Sequence, residues 1–588
     1  MTRQQRIATR HRTAKFLGRT AAVALLAALP ATSPSAWADR ANGQVELGEA
    51  SHQDTVFGAY MAAGHAEAVH DFQHAADLLD RVLEAEPDDP LLQRRGMLAN
   101  LHAGRVERAA QLARPQIIVY PSEVDIAALT LATTAMRDDD WDRAVKILKP
   151  ARRIALARFS SPILAAWAEF GRGNTDAAIE SLEALRTESQ AQGLHDFHAA
   201  LIFMAAGRHA EAVALLESQT ANLEATPIGV VRAMARAKLG LGQREAADDL
   251  LRGYDALNPG VTFIEDDIAD LSDDGELTPI VLGPKEGAAE AFIDLARQVR
   301  DQAPLIALRY ARLGVFLDPG NDLGRMVIAA ILERLNRHDA AIVALGEVDR
   351  ESVFDWEARM QIADNLISMK RDEDAIRQLE AMAEERPEDI DALDRLGYLM
   401  RARERFAEGT EYYDRAVDRL DQIGDEHWRL FYFRGITLER TKRWPEAEAD
   451  FRKSLELKPD DPYVLNYLGY SWIDQGINIE EGMEMIRTAV SQRQNDGNIV
   501  DSLGWAHYRL GNYEEAVVQL ERAIQLRPSE PVINDHLGDA YWKVGRKLEA
   551  TYQWRHALSL DPDDSLRETI LRKLEEGLDA VEAASGAN

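Results

Sequence analysis

The clearest pattern of apolar and polar positions runs from Ile499 to Pro528. Small and apolar residues, with one histidine, recur there at helical spacing in two groups: Val500, Leu503, Gly504, His507 and Leu510, then Ala516, Leu520, Ala523 and Leu526. Because Gly511 and Asn512 separate the groups and a proline follows them, the pattern predicts two amphipathic helices joined by a tight turn. Each helix is about three turns long and marginal alone in water, so the pair needs a neighbour.

The same pattern recurs on both sides of this stretch. On the C-terminal side, 34 residues on, the matching positions are Leu537, Gly538, Tyr541, Gly545, Ala550, Trp554, Ala557, Leu560 and Pro562. On the N-terminal side they are Leu468, Gly469, Trp472, Gly476, Ile486 and Ala489. Self-similarity at such a period predicts a helical solenoid, in which each pair of helices buries its apolar face against the next pair.

The order of small and large residues resembles the tetratricopeptide repeat. The positions that carry the resemblance are Leu503, Gly504, Ala516, Ala523 and Pro528. The small residues allow the two helices of a pair to approach closely. The resemblance implies an all-α fold: a right-handed superhelical solenoid of helix-turn-helix repeats, about fourteen of them in two arrays, with a C-terminal capping helix.

The repeat pattern also predicts the organisation of the chain. We expect a cleavable signal peptide at 1–38, a disordered segment at 39–51, an N-terminal array of about six degenerate repeats at 52–259, an acidic linker at 260–287, a C-terminal array of about eight repeats at 288–564, and a capping helix and tail at 565–588. The linker is predicted because Glu265 to Glu276 contains seven acids and no base, with Pro279 and Pro284 after it. Little chain remains for a catalytic domain, so neither enzymatic activity nor a cofactor is expected.

The first residues have the features of a targeting segment. Six basic side chains precede an apolar run from Ala21 to Leu29, and Ala36-Trp37-Ala38 forms an A-x-A site. This predicts a Sec-type signal peptide cleaved after Ala38 and a periplasmic protein. A membrane anchor is the alternative, but the run is far shorter than the roughly 20 residues that span a bilayer. Mitochondrial import is a second alternative, which the A-x-A site disfavours.

Composition narrows the classes of partner. The chain of 588 residues contains no cysteine, which excludes disulfides, thiolate metal sites and lipid attachment at the cleavage site. Its formal net charge of −31 repels nucleic acid and anionic membrane surfaces and favours neutral to basic proteins or peptides. Solubility alone is the alternative explanation of the charge.

Two short motifs superficially resemble metal sites. His70 and His74 lie four apart with Asp71 beside the first, but the repeat register places His70 in a turn, so ordinary turn and surface histidines are favoured. Asp270 to Leu277 matches the first half of a calcium loop, but Val281 stands where a bidentate Glu should close the shell. No metal is therefore predicted.

The resemblance implies a binding surface on the first helix of each repeat, which faces the concave side. In the C-terminal array the candidate residues are Tyr398, Tyr432, Asn466, Tyr470, Asp501, Trp505, Tyr508, Asp535, Asp539 and Trp542. This second aromatic stripe is surplus to the expected helix packing and has the composition of a binding hot spot. We expect an apolar peptide segment with basic residues along it, since only Asn466 matches the family's carboxylate-binding groove.

These observations predict a non-catalytic scaffold or adaptor of the bacterial cell envelope that binds proteins or peptides in an aromatic and acidic groove. The alternative is an envelope protein that binds or cleaves glycan or peptidoglycan. In that alternative, Trp505 would stack on a sugar beside Asp501 and Asp535.

Overall fold

The computed structural model describes residues 55–119, 124–151, 157–186, 191–258, 261–272 and 275–585. Every regular element in these ranges is helical, with 31 helices packed in repeats, so the predicted all-α repeat fold is confirmed. The predicted signal peptide and the segment 39–51 lie outside these ranges. Among the described helices, none is both long and apolar enough to cross a bilayer.

The chain forms two compact units, Met1–Gln378 and Leu379–Asn588. The helices of unit 1 are α1 Val56–Ala68, α2 Phe72–Ala85, α3 Pro90–His102, α4 Val106–Val119, α5 Val124–Arg137, α6 Trp141–Ala151, α7 Ala157–Gly171, α8 Thr175–Arg186, α9 Gln192–Ala205, α10 His209–Leu216, α11 Ile228–Gly240, α12 Arg244–Leu257, α13 Thr262–Ser272, α14 Pro284–Val299, α15 Pro304–Leu317, α16 Asp322–Arg334, α17 His338–Gly346 and α18 Asp355–Ser368. The boundary falls within α19, Asp372–Glu385.

The first twelve helices pack as six consecutive pairs, α1 with α2 through α11 with α12. The turn inside a pair requires one residue in the left-handed region, which glycine adopts at little cost. Gly104 occupies this position between α3 and α4 with φ +85°, and His70 occupies it between α1 and α2 with φ +56°. His70 therefore lies in a turn, as the register predicts.

Helices α14 and α15 lie against the first helices of four of these pairs. Helix α14 packs on α7 and α9, and α15 packs on α3 and α5. The approach is close at Gly287, where a Cβ atom would lie 2.4 Å from the ring of the fully buried Trp167. The apolar residues of these helices form one continuous core. Helices α14 and α15 therefore fill the face formed by the first helices of these repeats, which we call the inner face.

The segment expected to be an acidic linker contains helix α13. Its Asp267 is buried and bonds to Arg232 and Arg236, with Arg236 Nη2 donating to Asp267 Oδ1 over 2.9 Å. Burial disfavours the carboxylate, but the two guanidinium groups more than offset this and lower the pKa of Asp267. Asp270 lies in the last turns of the helix, so the first ligand of the conceivable calcium loop stands in a helix.

The helices of unit 2 are α20 Asp391–Ala402, α21 Phe406–Asp418, α22 Trp428–Arg440, α23 Trp444–Leu457, α24 Pro462–Gln475, α25 Ile479–Gln492, α26 Gly497–Arg509, α27 Tyr513–Leu526, α28 Pro531–Lys543, α29 Lys547–Ser559, α30 Asp564–Glu576 and α31 Leu578–Ser585. Glycines of the first helices make close contact with the second helices. A Cβ at Gly504 would lie 2.6 Å from Leu520 Cγ, and one at Gly538 would lie 2.5 Å from the Trp554 ring. The predicted role of the small residues is confirmed.

The C-terminal segment, expected to be a single capping helix, is broken in two. Gly577 has φ +84°, which ends α30 and redirects the chain into α31. Ile570 of α30 is fully buried in the core of the last repeats, and Leu578 and Val581 of α31 are also buried. The segment therefore covers the end of the repeats with α30 and returns over them with α31.

Candidate functional site

The ten predicted binding residues lie on the first helices of five consecutive pairs in unit 2. Tyr398 is on α20, Tyr432 on α22, and Asn466 and Tyr470 on α24; Asp501, Trp505 and Tyr508 are on α26, and Asp535, Asp539 and Trp542 on α28. The structure divides them into two stretches. We call the residues on α20, α22 and α24 the open stretch, and those on α26 and α28 the closed stretch.

The open stretch keeps accessible aromatic surface. Tyr398 is 47% exposed, and Tyr432, Asn466 and Tyr470 are half-buried. The guanidinium of Arg401, which lies about one turn further along α20, is 5.4 Å from the centre of the Tyr398 ring. Tyrosine and arginine on a partly exposed face are the residue types that contribute most to protein interfaces.

Tyr432 and Tyr470 of the open stretch remain neutral. Burial raises the pKa of Tyr432 to about 12, and burial together with the nearby Asp474 and Asp501 carboxylates raises the pKa of Tyr470. The Tyr432 ring lies 6.2 Å from the Tyr467 ring in an edge-to-face arrangement. These phenols can therefore offer hydrogen-bond donors and apolar ring surface to a partner, but not charge.

The closed stretch is engaged by other residues of the chain. Asp501, which is buried, pairs with His536, whose Nδ1 lies 3.0 Å from Asp501 Oδ1. The Trp505 ring stacks on His536 at a centroid distance of 4.0 Å and on Tyr508 at 4.7 Å. Burial disfavours the imidazolium, but the neighbouring Asp501 carboxylate more than offsets this and raises the pKa of His536.

Asp535 and Asp539 share a buried lysine from α30. Lys573 Nζ lies 2.7 Å from Asp535 Oδ2 and 2.7 Å from Asp539 Oδ2, and all three side chains are at most 7% exposed. The Trp554 indole N–H also donates to Asp539 Oδ1 over 2.9 Å. Burial disfavours the ammonium, but the two carboxylates raise the pKa of Lys573.

Tyr508 and Trp542 contact helix α31. The Tyr508 hydroxyl donates to Glu582 Oε1 over 2.6 Å, and the Trp542 indole N–H donates to Asp579 Oδ2 over 3.0 Å. Lys543 Nζ bonds to both carboxylates, at 3.1 Å to Asp579 Oδ1 and 2.5 Å to Glu582 Oε2. One short helix thus covers the end of the predicted groove.

The expectation that this second stripe is surplus to packing is wrong for the closed stretch. Asp501, Tyr508, Asp535 and Asp539 are buried, and each pairs with a side chain of the chain itself. The sequence does contain an indication of the buried partner Lys573. This lysine lies between Ile570 and Leu574 on the apolar face of α30, where a charged residue is expected to have an internal partner. Whether the ten residues bind a partner stays a prediction.

The carboxylates and the aromatic ring that a glycan site would need already contact other side chains of the protein. Asp501 and Asp535 pair with His536 and Lys573, and the ring surface of Trp505 is taken up by His536 and Tyr508. Across the described ranges no group of three or more His, Cys, Asp or Glu side chains could hold a metal ion. His74 instead lies 2.9 Å from Asp71 Oδ2 through its Nδ1.

Comparisons with known proteins agree with the repeat resemblance. A family model described as "Tetratricopeptide repeat" matches residues 163–222 and 395–462, and one described as "TPR repeat" matches residues 504–545. The "TPR repeat-containing protein PA4667" of Pseudomonas aeruginosa is 27% identical over 162 residues. That alignment covers 26% of this chain and 26% of the relative, so the chain matches about a quarter of that protein's length.

Solved structures with similar helical repeats superpose poorly over the whole chain. The "APC/C hetero-tetramer Cut9-Hcn1" matches 88% of this chain and 96% of its own at 15% identity, with a TM-score of 0.37. A tetratricopeptide repeat protein from Parabacteroides merdae matches 43% of this chain and 97% of its own at 14% identity, with a TM-score of 0.36. The family-model matches support tetratricopeptide repeats in three segments of this chain, two of which lie in unit 2 and include most of the candidate residues.

Proposed function

We propose that this protein is a non-catalytic adaptor of the bacterial cell envelope that binds protein segments along the open stretch of unit 2. The observation that carries the proposal is the accessible stripe of Tyr398, Tyr432 and Tyr470 with Arg401 beside it, on three consecutive first helices. Buried tyrosine and arginine contacts dominate the energetics of protein interfaces, and an extended or helical segment is the shape that fits successive repeats.

The first helices of unit 1 are not accessible to a partner segment. Its first helices α3, α5, α7 and α9 are packed against α14 and α15, and the contact includes Arg309 Nε at 2.9 Å from His102 Nε2. A partner segment would have to displace two helices of a continuous core to reach that face. We therefore assign partner binding to unit 2 alone.

The envelope setting rests on the N-terminal sequence. The basic residues, the apolar run Ala21 to Leu29 and the A-x-A site at Ala36 to Ala38 support export and cleavage after Ala38. Expression of the full chain with a C-terminal tag, followed by fractionation and N-terminal sequencing, tests this part. Recovery of Asp39 as the first residue in the periplasmic fraction supports it, and an intact N terminus in the cytoplasmic fraction contradicts it.

The binding surface is tested by a double substitution, Tyr398→Ala with Tyr470→Ala. The matched control is Tyr552→Ala, which removes a 62% exposed tyrosine from α29. Affinity purification from envelope extracts with each variant as bait is expected to lose the partner by about tenfold or more for the double variant only. Helicity should be unchanged in both. Equal recovery by all three baits would remove the open stretch as the binding surface.

A further inference from the structure

Helix α31 presents an apolar edge and two carboxylates to the rest of unit 2. Leu578 and Val581 are buried, while Asp579 and Glu582 make the polar contacts. These four residues occupy positions i, i+1, i+3 and i+4, which share one side of a helix. The segment that covers the closed stretch is therefore a short acidic amphipathic helix.

The surface beneath α31 consists of hydrogen-bond donors. The Tyr508 hydroxyl, the Trp542 indole N–H and the Lys543 ammonium all point to the carboxylates of α31. A second ammonium, that of Lys547, lies 4.5 Å from the centre of the Trp542 ring. Although the chain carries a net charge of −31, this surface is locally suited to anionic side chains.

The acids of the closed stretch do not oppose such a ligand. Asp501 is paired with His536, and Asp535 and Asp539 are paired with Lys573. These pairs are buried, and the three carboxylates bond to internal cations. They therefore present little negative charge to a ligand on this surface. The neutral to basic partner expected from the sequence therefore does not match this part of the groove.

The contacts that hold α31 are weak enough for another segment to replace this helix. The helix has eight residues, and its contact carboxylates remain exposed, 68% for Asp579 and 43% for Glu582. Exposed ion pairs contribute little net stability and are screened by salt, and a helix this short does not persist unaided. Gly577, in the left-handed region, provides a joint at which α31 can separate from α30.

We propose that the closed stretch is a docking site for an acidic amphipathic helix of a partner protein, and that α31 is its internal competitor. The partner segment would carry apolar residues at i and i+3 and carboxylates at i+1 and i+4, as α31 does. The proposal rests on the proposed function only in taking the partner to be a protein. Binding of the partner would expel α31 and leave α30, with its buried Lys573, in place.

The test measures binding of a synthetic helix by the full chain and by a release variant. The probe is a fluorescent, end-capped peptide with the sequence of Gly577 to Ser585, GLDAVEAAS, and the control peptide has Asn and Gln in place of its two acids. The release variant, D579N with E582Q, weakens the contacts that hold α31 in place and leaves the residues beneath this helix unchanged. We expect the acidic probe to bind the variant at least tenfold more tightly than the unmodified chain, since the internal competitor acts at high effective concentration.

Adding Lys543→Met to the release variant should abolish probe binding, and the control peptide should bind neither chain. Equal affinity for both chains, or equal binding of acidic and control peptides, would overturn the proposal. Dimerisation of the unmodified chain at rising concentration would also overturn it, because the occupant would then be α31 of a second copy.

A second measurement covers the case in which the release variant loses its fold. The chain has no cysteine, so Ala580→Cys on the exposed side of α31 accepts a single spin label in the otherwise unmodified protein. Excess acidic probe is expected to increase the mobility of the label, and an unchanged spectrum at saturating probe would overturn the proposal. Because the probe is synthetic, failure here leaves the pull-down test at Tyr398 and Tyr470 unaffected, and the reverse holds as well.

Discussion

The two compact units differ in what lies against their first helices. In unit 1, α14 and α15 pack across α3, α5, α7 and α9 and join one continuous apolar core. In unit 2, the residues of α20, α22 and α24 keep accessible surface, and only α26 and α28 are covered, by the short helix α31. The same helical pair thus supports the chain's own helices in one unit and leaves accessible surface in the other.

The chemistry of the two coverings differs in how strongly each should resist displacement. Trp167 is fully buried beneath α14, and its indole N–H donates to His198 Nδ1 over 3.3 Å. Burial lowers the pKa of His198 to about 3, so the imidazole stays neutral and able to accept that bond. The cover of unit 2 depends instead on two buried apolar residues, Leu578 and Val581, and on the exposed carboxylates of Asp579 and Glu582. Packing of large apolar groups resists displacement far more than exposed ion pairs do.

The largest expected effect comes from truncating one tryptophan under each cover. Trp167→Ala should lower the free energy of unfolding of unit 1 by about 3–5 kcal/mol, because it opens a cavity between α7 and α14. Trp542→Ala, which removes a half-buried ring and one bond to Asp579, should cost unit 2 only about 1–2 kcal/mol. Urea unfolding followed by circular dichroism measures both. Equal losses would mean that the two covers are held alike.

A smaller steric change at the same contact tests how closely α14 approaches α7. Gly287→Ala places a methyl group against the Trp167 ring and should destabilise unit 1 by about 1–3 kcal/mol. Gly346→Ala is the matched control, since a Cβ there has no atom within 4 Å, and it should be neutral or stabilising by up to about 1 kcal/mol. Melting curves of the two variants give the result. Similar behaviour of both would show that α14 does not depend on close approach to α7.

The smallest effect concerns pH. Burial and the neighbouring Asp535 raise the pKa of Asp539 to about 7, so the folded chain takes up a proton that the unfolded chain, with an ordinary pKa of 3.8, does not. Stability of unit 2 should therefore rise as pH falls from about 7 toward 4. The raised pKa of His536 acts in the same direction, because its contribution is present below the ordinary value and is lost as pH rises through the folded one.

Asp539→Asn isolates this contribution from other groups that titrate in the same direction. Burial and the nearby Asp294 carboxylate raise the pKa of Glu290 in unit 1 to about 8, so wild-type stability alone would mix the two units. The difference in unfolding free energy between about pH 8 and about pH 6 should shrink by about 1–1.5 kcal/mol in the variant. An identical pH dependence in both chains would contradict the assigned role of Asp539.

The repeat fold was predictable because its signals are local. Gly504, Ala516 and Ala523 occur at fixed offsets within one helical pair, and the close approach of Gly504 to Leu520 is the physical reason for that pattern. The turn position of His70 followed from the same register. Repeats contact mainly their neighbours, so a periodic sequence is enough to specify the pairs.

The covering of the inner faces was not predictable from the register. Trp167 and Gly287 meet across more than a hundred residues, and no periodic pattern links α14 to α7. Asp535 and Asp539 are predicted as groove residues because their cation, Lys573, belongs to a helix beyond the last repeat. Tyr398, Tyr432 and Tyr470 lie on the first helices of their repeats, as the register predicts.

Hydrogen exchange of the full chain, measured by mass spectrometry, tests the difference between the two covers most directly. Peptides from α14 and α15 should exchange only through global unfolding of unit 1, whereas peptides from α31 should exchange through local opening at Gly577, with α30 still protected. We expect protection of α31 to be lower than that of α14 by a factor of about a hundred or more. Equal protection of α31 and α14 would contradict it, because both inner faces would then be permanently filled.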